Sequence, residues 1–429
     1  MNQRTHLRFF LSAAVMAAFL FSAANVHAAP PHIPTVNLIL WIFSDGLNSS
    51  ENSAVAAYQV SHPDVGITVY HPTDLMAELN SAPLASLPDL IYYPNDTMAE
   101  LLLNHYLTPL DPYGVTPAYL TANFEPAAAE AAMFGGKVFA IPHLLEGIAL
   151  LYNKDTLPTQ YVPAGPLDFA GLAANAAQFA ADYPGKTLIC NQAFGSTDAY
   201  HAAPIFFGFG IPDYIDQIGH VYIRDPKAVN AAAWIQDLRP VSLAYHDFDI
   251  CKNGLIDGSV GMWWTGPWAV TWLNAGGLSS DKIGLIPMGV PYLGVKQNMV
   301  TVFAVHRGYA DEAVDFLKYF DNPSNSIQYA VQENLIPANS AALSDPAVQS
   351  LPLVTAFASA YQSSTPLGKS IYSSCQWGPV GDAVLELWNN PAADPQALLD
   401  TAQAQVQECV NNLRSTYFPY SLNLPLLRR

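Results

Sequence analysis

One stretch of the chain, residues 135–158, limits the possible folds most, because it places a single carboxylate between two apolar runs. The first run, 138–140, is followed by Pro142, which has no N–H to donate to a neighbouring strand. The second run spans 148–152. Glu146 lies between them, and a carboxylate left dry and unpartnered would cost several kcal/mol. The pattern therefore predicts a crossing between two lobes, with Glu146 facing a wet cleft or a polar ligand.

Strand-like and helical segments alternate along the chain, whose 429 residues are enough for two lobes. This alternation predicts an α/β protein in which helices flank mostly parallel sheets on both faces. Asp45 and Asp96 each follow an early strand, at the edge where open α/β sheets bind ligands. The predicted strands are 36–43, 65–70, 89–93, 187–191, 259–264, 282–286 and 300–305.

Three crossings are predicted between the lobes, so neither lobe is contiguous in sequence. The first is the stretch around Glu146, the second is the strand 300–305, and the third is 333–337. The predicted N-terminal lobe comprises 29–143 plus 300–335, and the C-terminal lobe comprises 146–297 plus 338–429.

Composition and the first residues indicate an exported protein. The formal net charge is −18 and only 12% of residues are charged, which argues against a nucleic-acid-binding surface. Residues 1–28 combine a basic start, an apolar centre and a small-residue cleavage site, as secretory signals do. Their apolar run is shorter than the roughly 20 residues of a membrane span. We therefore predict a signal peptide and a periplasmic protein.

Four cysteines suggest disulfide bonds, because an even number in an exported chain favours pairing. Four cysteines allow three connectivities, and buried free thiols are the alternative. The cysteines are Cys190, Cys251, Cys375 and Cys409.

Several motifs occur in a characteristic order. They are LILWIFSD, ITVYHP, PDLIYY, GKVFAIPHLLEGIALLYNKDTLP, GSVGMWWTGPWAV, KIGLIPM and ENLIPANSAAL. In this order and spacing, over nearly the whole mature chain, the sequence resembles the bacterial maltose/maltodextrin-binding proteins, the periplasmic sugar receptors of ABC importers. The resemblance implies a two-lobed periplasmic binding protein fold that closes on a sugar by hinge motion. It also implies a monomer that docks on the membrane subunits of an importer.

The resemblance also implies a set of sugar ligands. Carboxylates accept hydrogen bonds from sugar hydroxyls, and aromatic rings cover the C–H faces. The basic residues that the family has beside two acidic ligands are Gly46 and Thr97 here, so trehalose, a longer glucan or a polyol are alternatives to maltodextrin. The aspartates could instead be helix caps, and the aromatic residues could belong to the core. The implied ligand-binding residues are Asp45, Tyr93, Asp96, Glu146, Asp198, Tyr200, Trp268 and Trp377.

A secreted glycosidase is the alternative from another class, since Glu146 with Asp45 or Asp96 would supply a carboxylate pair. The sequence offers little else for catalysis. Asp257 stands where a nucleophile elbow around Ser259 would need its first glycine. There is no HExxH motif, phosphate loop or dinucleotide fingerprint. We therefore predict a binding protein without metal or cofactor.

Overall fold

The computed structural model describes residues 34–43 and 46–417. The predicted signal peptide and Asp45 lie outside these residues. The strands, in chain order, are β1 (Val36–Ile42), β2 (Val65–Tyr70), β3 (Leu90–Pro94), β4 (Met133–Phe134), β5 (Lys137–Val138), β6 (Ala140–Glu146), β7 (Ala149–Asn153), β8 (Thr187–Cys190), β9 (Val260–Thr265), β10 (Ile283–Ile286), β11 (Tyr292–Val300) and β12 (Thr365–Pro366).

The helices mostly begin at residues that cap their first turn, as Asp198, Asp247 and Asn322 do. Within the described part of the chain, no helix is both long enough and apolar enough to cross a membrane. The helices are α1 (Ser49–Ser61), α2 (Leu75–Ser81), α3 (Met98–Leu103), α4 (Pro117–Asn123), α5 (Pro126–Ala131), α6 (Phe169–Asp182), α7 (Ala199–Gly208), α8 (Pro226–Leu238), α9 (Phe248–Asp257), α10 (Trp268–Ala275), α11 (Val302–Arg307), α12 (Ala310–Phe320), α13 (Pro323–Glu333), α14 (Ser340–Leu343), α15 (Pro346–Gln349), α16 (Pro352–Ala360), α17 (Trp377–Asn389) and α18 (Pro395–Tyr417).

The larger sheet has the strand order β12-β11-β3-β1-β2, and β6 also pairs with β11. Its interior strand β1 is parallel to both β2 and β3. Leu38, Leu40 and Trp41 of β1 are all buried, as expected for a nearly continuous apolar strand that is covered on both faces. The strand β11 runs antiparallel to β3 and β6. The predicted α/β class is therefore confirmed for this half of the molecule.

The smaller sheet has the order β10-β7-β9-β8. Only β8 and β9 are parallel, whereas β7 is antiparallel to both β9 and β10. The expectation of a mostly parallel sheet thus fails here. Trp263 and Trp264 are adjacent in β9 and both are fully buried, because this sheet is also covered on both faces.

Two crossings connect the sheets. Strand β6 of the larger sheet leads through Gly147 and Ile148 into β7 of the smaller sheet, as predicted around Glu146. The return differs from the prediction, because the chain re-enters the larger sheet with β11, which begins at Tyr292. The predicted strand 300–305 is wrong, since this stretch forms most of α11.

The predicted third crossing runs alongside β6. The backbone N–H of Leu145 donates to the carbonyl of Ile336 (2.9 Å), and the N–H of Ala338 donates to the carbonyl of His143 (3.0 Å). Farther along the chain, β12 still pairs with β11 of the larger sheet. The lobe boundaries proposed from the sequence therefore stay predictions.

Strand β6 continues through Pro142, which was expected to end regular pairing. Pro142 is opposite Gln297, and Leu144 is opposite Lys296, so His143 is an extra residue on β6. Such a β-bulge interrupts the hydrogen-bond ladder locally, which makes proline tolerable at this position.

Both disulfides predicted from the even cysteine count are present. Cys190 pairs with Cys251, and Cys375 pairs with Cys409, which selects one of the three possible connectivities. Cys190 ends β8 and Cys375 lies just before α17.

Candidate functional site

A cavity of about 650 Å³ opens between the two sheets and their helices. Its volume falls within the roughly 300–1,000 Å³ of typical small-molecule sites. One wall is formed by the ends of β3, β6 and β11, and the other by the beginnings of α7, α9, α10 and α17. The lining residues are Phe43, Pro94, Asp96, Thr97, Glu146, Gln192, Asp198, Tyr200, His201, Phe248, Trp268, Trp272, Gly294, Lys296, Leu367 and Trp377.

Six of the eight sequence-predicted site residues line this one cavity. They come from distant parts of the chain and from both sides of the cleft. Asp45 lies outside the described residues, although its neighbour Gly46 lines a small adjacent cavity. The six are Asp96, Glu146, Asp198, Tyr200, Trp268 and Trp377.

Tyr93 is absent from the cavity wall. Its ring is buried, and Phe43 packs against it edge to face with 5.3 Å between ring centroids. Side chains alternate along β3, so Tyr93 points away from the side on which Tyr92 contacts Glu51. Phe43 is the aromatic ring that lines the cavity here, and Tyr93 supports it from behind.

Glu146 forms an ion pair at the cavity wall. Its Oε1 is 3.1 Å from Nζ of Lys296, and the two side chains are 13% and 10% exposed. Lys296 projects from β11, where it lies opposite both Pro94 and Leu144. Lys296 was not among the site residues predicted from the sequence. The available signal was a cation that directly follows the apolar run 292–295, similar to the lone carboxylate that identified Glu146.

Asp96 links the two walls of the cleft. The side chain of Trp377, which begins α17, lies near its carboxylate and favours the charged form. Burial raises the pKa of Asp96 to about 6, although Trp377 and backbone N–H groups act in the opposite direction. Helix α17 packs against α7 and α18. Asp96 and Trp377 therefore join the β3 end to the opposite wall.

We expect Asp96→Asn to stabilise the unliganded protein at pH 7. A raised native pKa means that the folded state disfavours the carboxylate, so wild-type stability decreases as pH rises through about 6. Removing this charge should raise the free energy of unfolding by at most about 3 kcal/mol at pH 7, and the gain should vanish near pH 4. Chemical denaturation at both pH values measures it.

The exposed Asp237 in α8 supplies the control for this experiment. Asp237→Asn should change stability by less than about 0.5 kcal/mol at either pH. An equal gain for Asp96→Asn at pH 4 and pH 7 would contradict the assignment.

Asp198 is both a helix cap and part of the cavity wall. Its Oδ1 accepts from the backbone N–H of His201 (3.0 Å), and its Oδ2 lies 2.7 Å from Nδ1 of His201 and 3.1 Å from Nε2 of Gln192. Burial alone would raise the pKa of Asp198, but His201 outweighs it and lowers the pKa to about 2. The carboxylate therefore holds His201 and Gln192 in the wall, and these two residues were missed by sequence reasoning.

Aromatic rings form the rest of the opposite wall. The ring centroid of Tyr200 lies 6.4 Å from that of Trp268 and 6.5 Å from that of Trp377. Trp272 adds an indole that is 39% exposed, and Phe248 packs against it edge to face at 5.0 Å. A wall of this kind can cover the apolar faces of a ligand, while Asp96 and Glu146 accept hydrogen bonds from its polar edge.

Comparison with known proteins gives one family match that covers most of the chain. The bacterial extracellular solute-binding protein family matches residues 53–356. The maltotriose-binding protein of Pyrococcus abyssi is 26% identical over 369 residues, covering 82% of this chain and 78% of that protein. The galactooligosaccharide-binding protein of Bacillus subtilis is 23% identical over 305 residues, covering 66% of this chain and 69% of that protein.

Solved structures share the fold. The maltose/maltodextrin-binding domain of Bdellovibrio bacteriovorus bound to maltotriose superposes with a TM-score of 0.74 at 19% identity, covering 88% of this chain and all of that one (100%). The Thermus thermophilus maltotriose-binding protein bound to maltotriose superposes with a TM-score of 0.72 at 21% identity, covering 87% of this chain and all of that one (100%). At these identities the likeness concerns the fold, and it confirms the predicted two-lobed architecture.

Proposed function

Because this chain belongs to the bacterial extracellular solute-binding protein family, we propose that it is the sugar-binding component of an ABC importer. Its ligand is a di- or oligosaccharide of the maltodextrin type, held in the cleft between the two halves. The observation that carries the proposal is the convergence of carboxylates and aromatic rings on one cavity of about 650 Å³. The proposal includes export by residues 1–28, a periplasmic location and a monomeric state.

The chemistry of the two walls supports a sugar over other solutes. Asp96 and Glu146 can each accept from hydroxyl groups, and carboxylate acceptors form stronger hydrogen bonds than neutral ones. Tyr200, Trp268 and Trp377 can cover the C–H faces of pyranose rings and remove them from water. The names of the relatives, which bind maltotriose and galacto-oligosaccharides, support the same class.

Binding would proceed by hinge closure, a motion typical of periplasmic binding proteins. The connections around Gly147 and between β10 and β11 join the two sheets and could serve as hinges. A ligand shifts the equilibrium only by its greater affinity for the closed form. Contacts made from both walls at once, as Asp96 and Trp377 allow, provide that difference. The closed form would then dock on the membrane subunits of the importer.

Titration with maltotriose, followed by tryptophan fluorescence and calorimetry, tests the proposed function. We expect a dissociation constant near the micromolar range, about −8 kcal/mol. Galacto-oligosaccharides, trehalose and a polyol complete the panel, because the relatives differ in their named sugars. A failure of every sugar to bind would contradict the proposal.

We expect Trp377→Ala to weaken maltotriose binding by roughly 1 to 3 kcal/mol, because the ring no longer covers a sugar face. Trp377→Phe keeps a ring but loses the indole N–H that favours the charged form of Asp96. It should therefore retain more affinity than the alanine variant. Tyr245, which is exposed and does not line the cavity, is the control, and Tyr245→Ala should leave the constant unchanged. An unchanged constant for Trp377→Ala would remove this residue from the site.

A further inference from the structure

We infer that Lys296 is a ligand-binding residue, and that with Glu146 it forms a donor–acceptor pair that recognises two adjacent hydroxyl groups of one neutral sugar ring. The inference rests on the proposed function, because it specifies the chemistry of the same cleft. The motifs that carry the family resemblance do not include Lys296.

The pair stands where two cavities meet. Lys296 and Glu146 line the main cavity of about 650 Å³ and also an adjacent cavity of about 90 Å³. Their charged atoms are 3.1 Å apart. This separation is close to that between neighbouring hydroxyl oxygens on a pyranose ring. One hydroxyl can therefore donate to the carboxylate while its neighbour accepts from the ammonium group.

Two indole rings face the same junction. Trp268 and Trp272 line both cavities, as Lys296 and Glu146 do. A sugar ring at the junction can place its C–H face on an indole and its hydroxyl edge on the ion pair. A ligand in this position satisfies the apolar and the polar parts of the site together.

Lys296 also supplies an ammonium donor to the wall that carries Asp96 and Glu146. The positions at which the family carries basic residues are Gly46 and Thr97 here. Among the described residues that line the main cavity, Lys296 is the only lysine or arginine, and Asp96 and Glu146 bring acceptors only. Sugar hydroxyls both donate and accept, so a charged donor in this wall increases affinity as well as selectivity.

The paired charges also limit the ligand. An ammonium group of the ligand placed next to Lys296, or a carboxylate placed next to Glu146, would meet a like charge. Like-charge contacts of this kind act as repulsive elements that reject a competing ligand. A ring that presents two adjacent free hydroxyls at the junction avoids both repulsions.

Measuring maltotriose affinity of Lys296→Met tests the inference. Methionine keeps much of the side-chain volume and removes the donor, so we expect the dissociation constant to rise roughly ten- to hundredfold. Lys296→Arg retains charged donors and should lose less. The double variant Lys296→Met/Glu146→Gln leaves neither member of the pair charged without the other, and it keeps the experiment interpretable if the single variant folds poorly.

A panel of monodeoxy maltotrioses shows whether Lys296 contacts a sugar hydroxyl directly or only positions other groups of the wall. If Lys296 touches a hydroxyl, at least one analogue should lose affinity for the wild type yet show little further loss with Lys296→Met. The inference would be overturned if the wild type and Lys296→Met lost equal affinity for every analogue. It would also be overturned if a folded Lys296→Met bound maltotriose within twofold of the wild type. Either result would leave the proposed function intact. Failure of the wild type to bind any sugar of the panel would overturn both.

Discussion

Replacing His143 with leucine is expected to lower the free energy of unfolding by roughly 3 to 5 kcal/mol at pH 7, because it leaves two buried carboxylates without their cation. Nδ1 of His143 lies 2.5 Å from Oδ1 of Asp321, and Nε2 lies 2.7 Å from Oε1 of Glu51. All three side chains are at most 2% exposed. The loss should be measured by denaturant titration.

The network matters because it joins five elements behind the cleft. His143 is the bulged residue of β6, Glu51 lies in the first turn of α1, and Asp321 follows α12. Tyr92 of β3 donates to Glu51, and Asn298 of β11 donates to Asp321. The same β6 and β11 carry Glu146 and Lys296. An intact network therefore holds the two strands that present the ion pair.

The wild type should lose stability at alkaline pH through the same histidine. Burial alone would lower the pKa of His143, but Asp321 and Glu51 outweigh it and raise the pKa to about 9. A raised native pKa contributes stability that is complete below the unfolded value of about 6.5 and is lost as pH rises through about 9. The loss should approach about 3 kcal/mol, and His143→Leu should not show it.

Two controls show whether the stability loss of His143→Leu comes from the lost charge or from altered packing. His306 in α11 is exposed, and His306→Leu should change stability by less than about 0.5 kcal/mol. The triple variant His143→Leu/Glu51→Gln/Asp321→Asn removes the unpaired charges and should recover much of the loss, because neutral replacements of buried ion pairs are often tolerated. A single variant as stable as the wild type, or a triple variant no better than the single one, would contradict the charge argument.

Part of the cleft could be predicted because the rules behind it are local. Glu146 is a lone carboxylate in an apolar stretch, so it needs a polar neighbour wherever that stretch folds. Asp96 follows a buried strand, and the ends of such strands meet at one edge of a sheet. Both residues line the cavity. Asp198 shows the limit of the rule, because it caps α7, as the alternative interpretation held, and also lines the cavity.

Other parts could not be predicted because they depend on packing or on a choice between local structures. The stretch 301–305 is rich in residues that favour strands, but Thr301 caps it and a helix forms. The true strand β11 was therefore missed, and Lys296 with it. Tyr93 lies near the end of β3, but side-chain alternation turns it away from the cavity that Phe43 lines. No spacing rule in one sequence reveals that orientation.

The disulfide between Cys190 and Cys251 is expected to contribute about 4 kcal/mol to stability, since it closes a long loop in the unfolded chain. The two cysteines are 61 residues apart. Cys190 ends β8, two residues before Gln192 in the cavity wall. Cys190→Ala/Cys251→Ala should therefore lower the free energy of unfolding by this amount and also weaken maltotriose binding by the folded protein.

The second disulfide provides a matched comparison, because Cys375 and Cys409 are 34 residues apart. The loop-entropy relation gives only a few tenths of a kcal/mol less for this shorter loop, so Cys375→Ala/Cys409→Ala should be destabilised almost equally. Cys375 lies two residues before Trp377, which lines the cleft, so this variant should also lose affinity. Denaturant titrations with and without reductant measure the loss of stability of each variant. Maltotriose titrations of the folded variants measure the loss of affinity. A loss below about 1 kcal/mol for either pair would mean that native packing, rather than the cross-link, holds these cavity-wall segments in place.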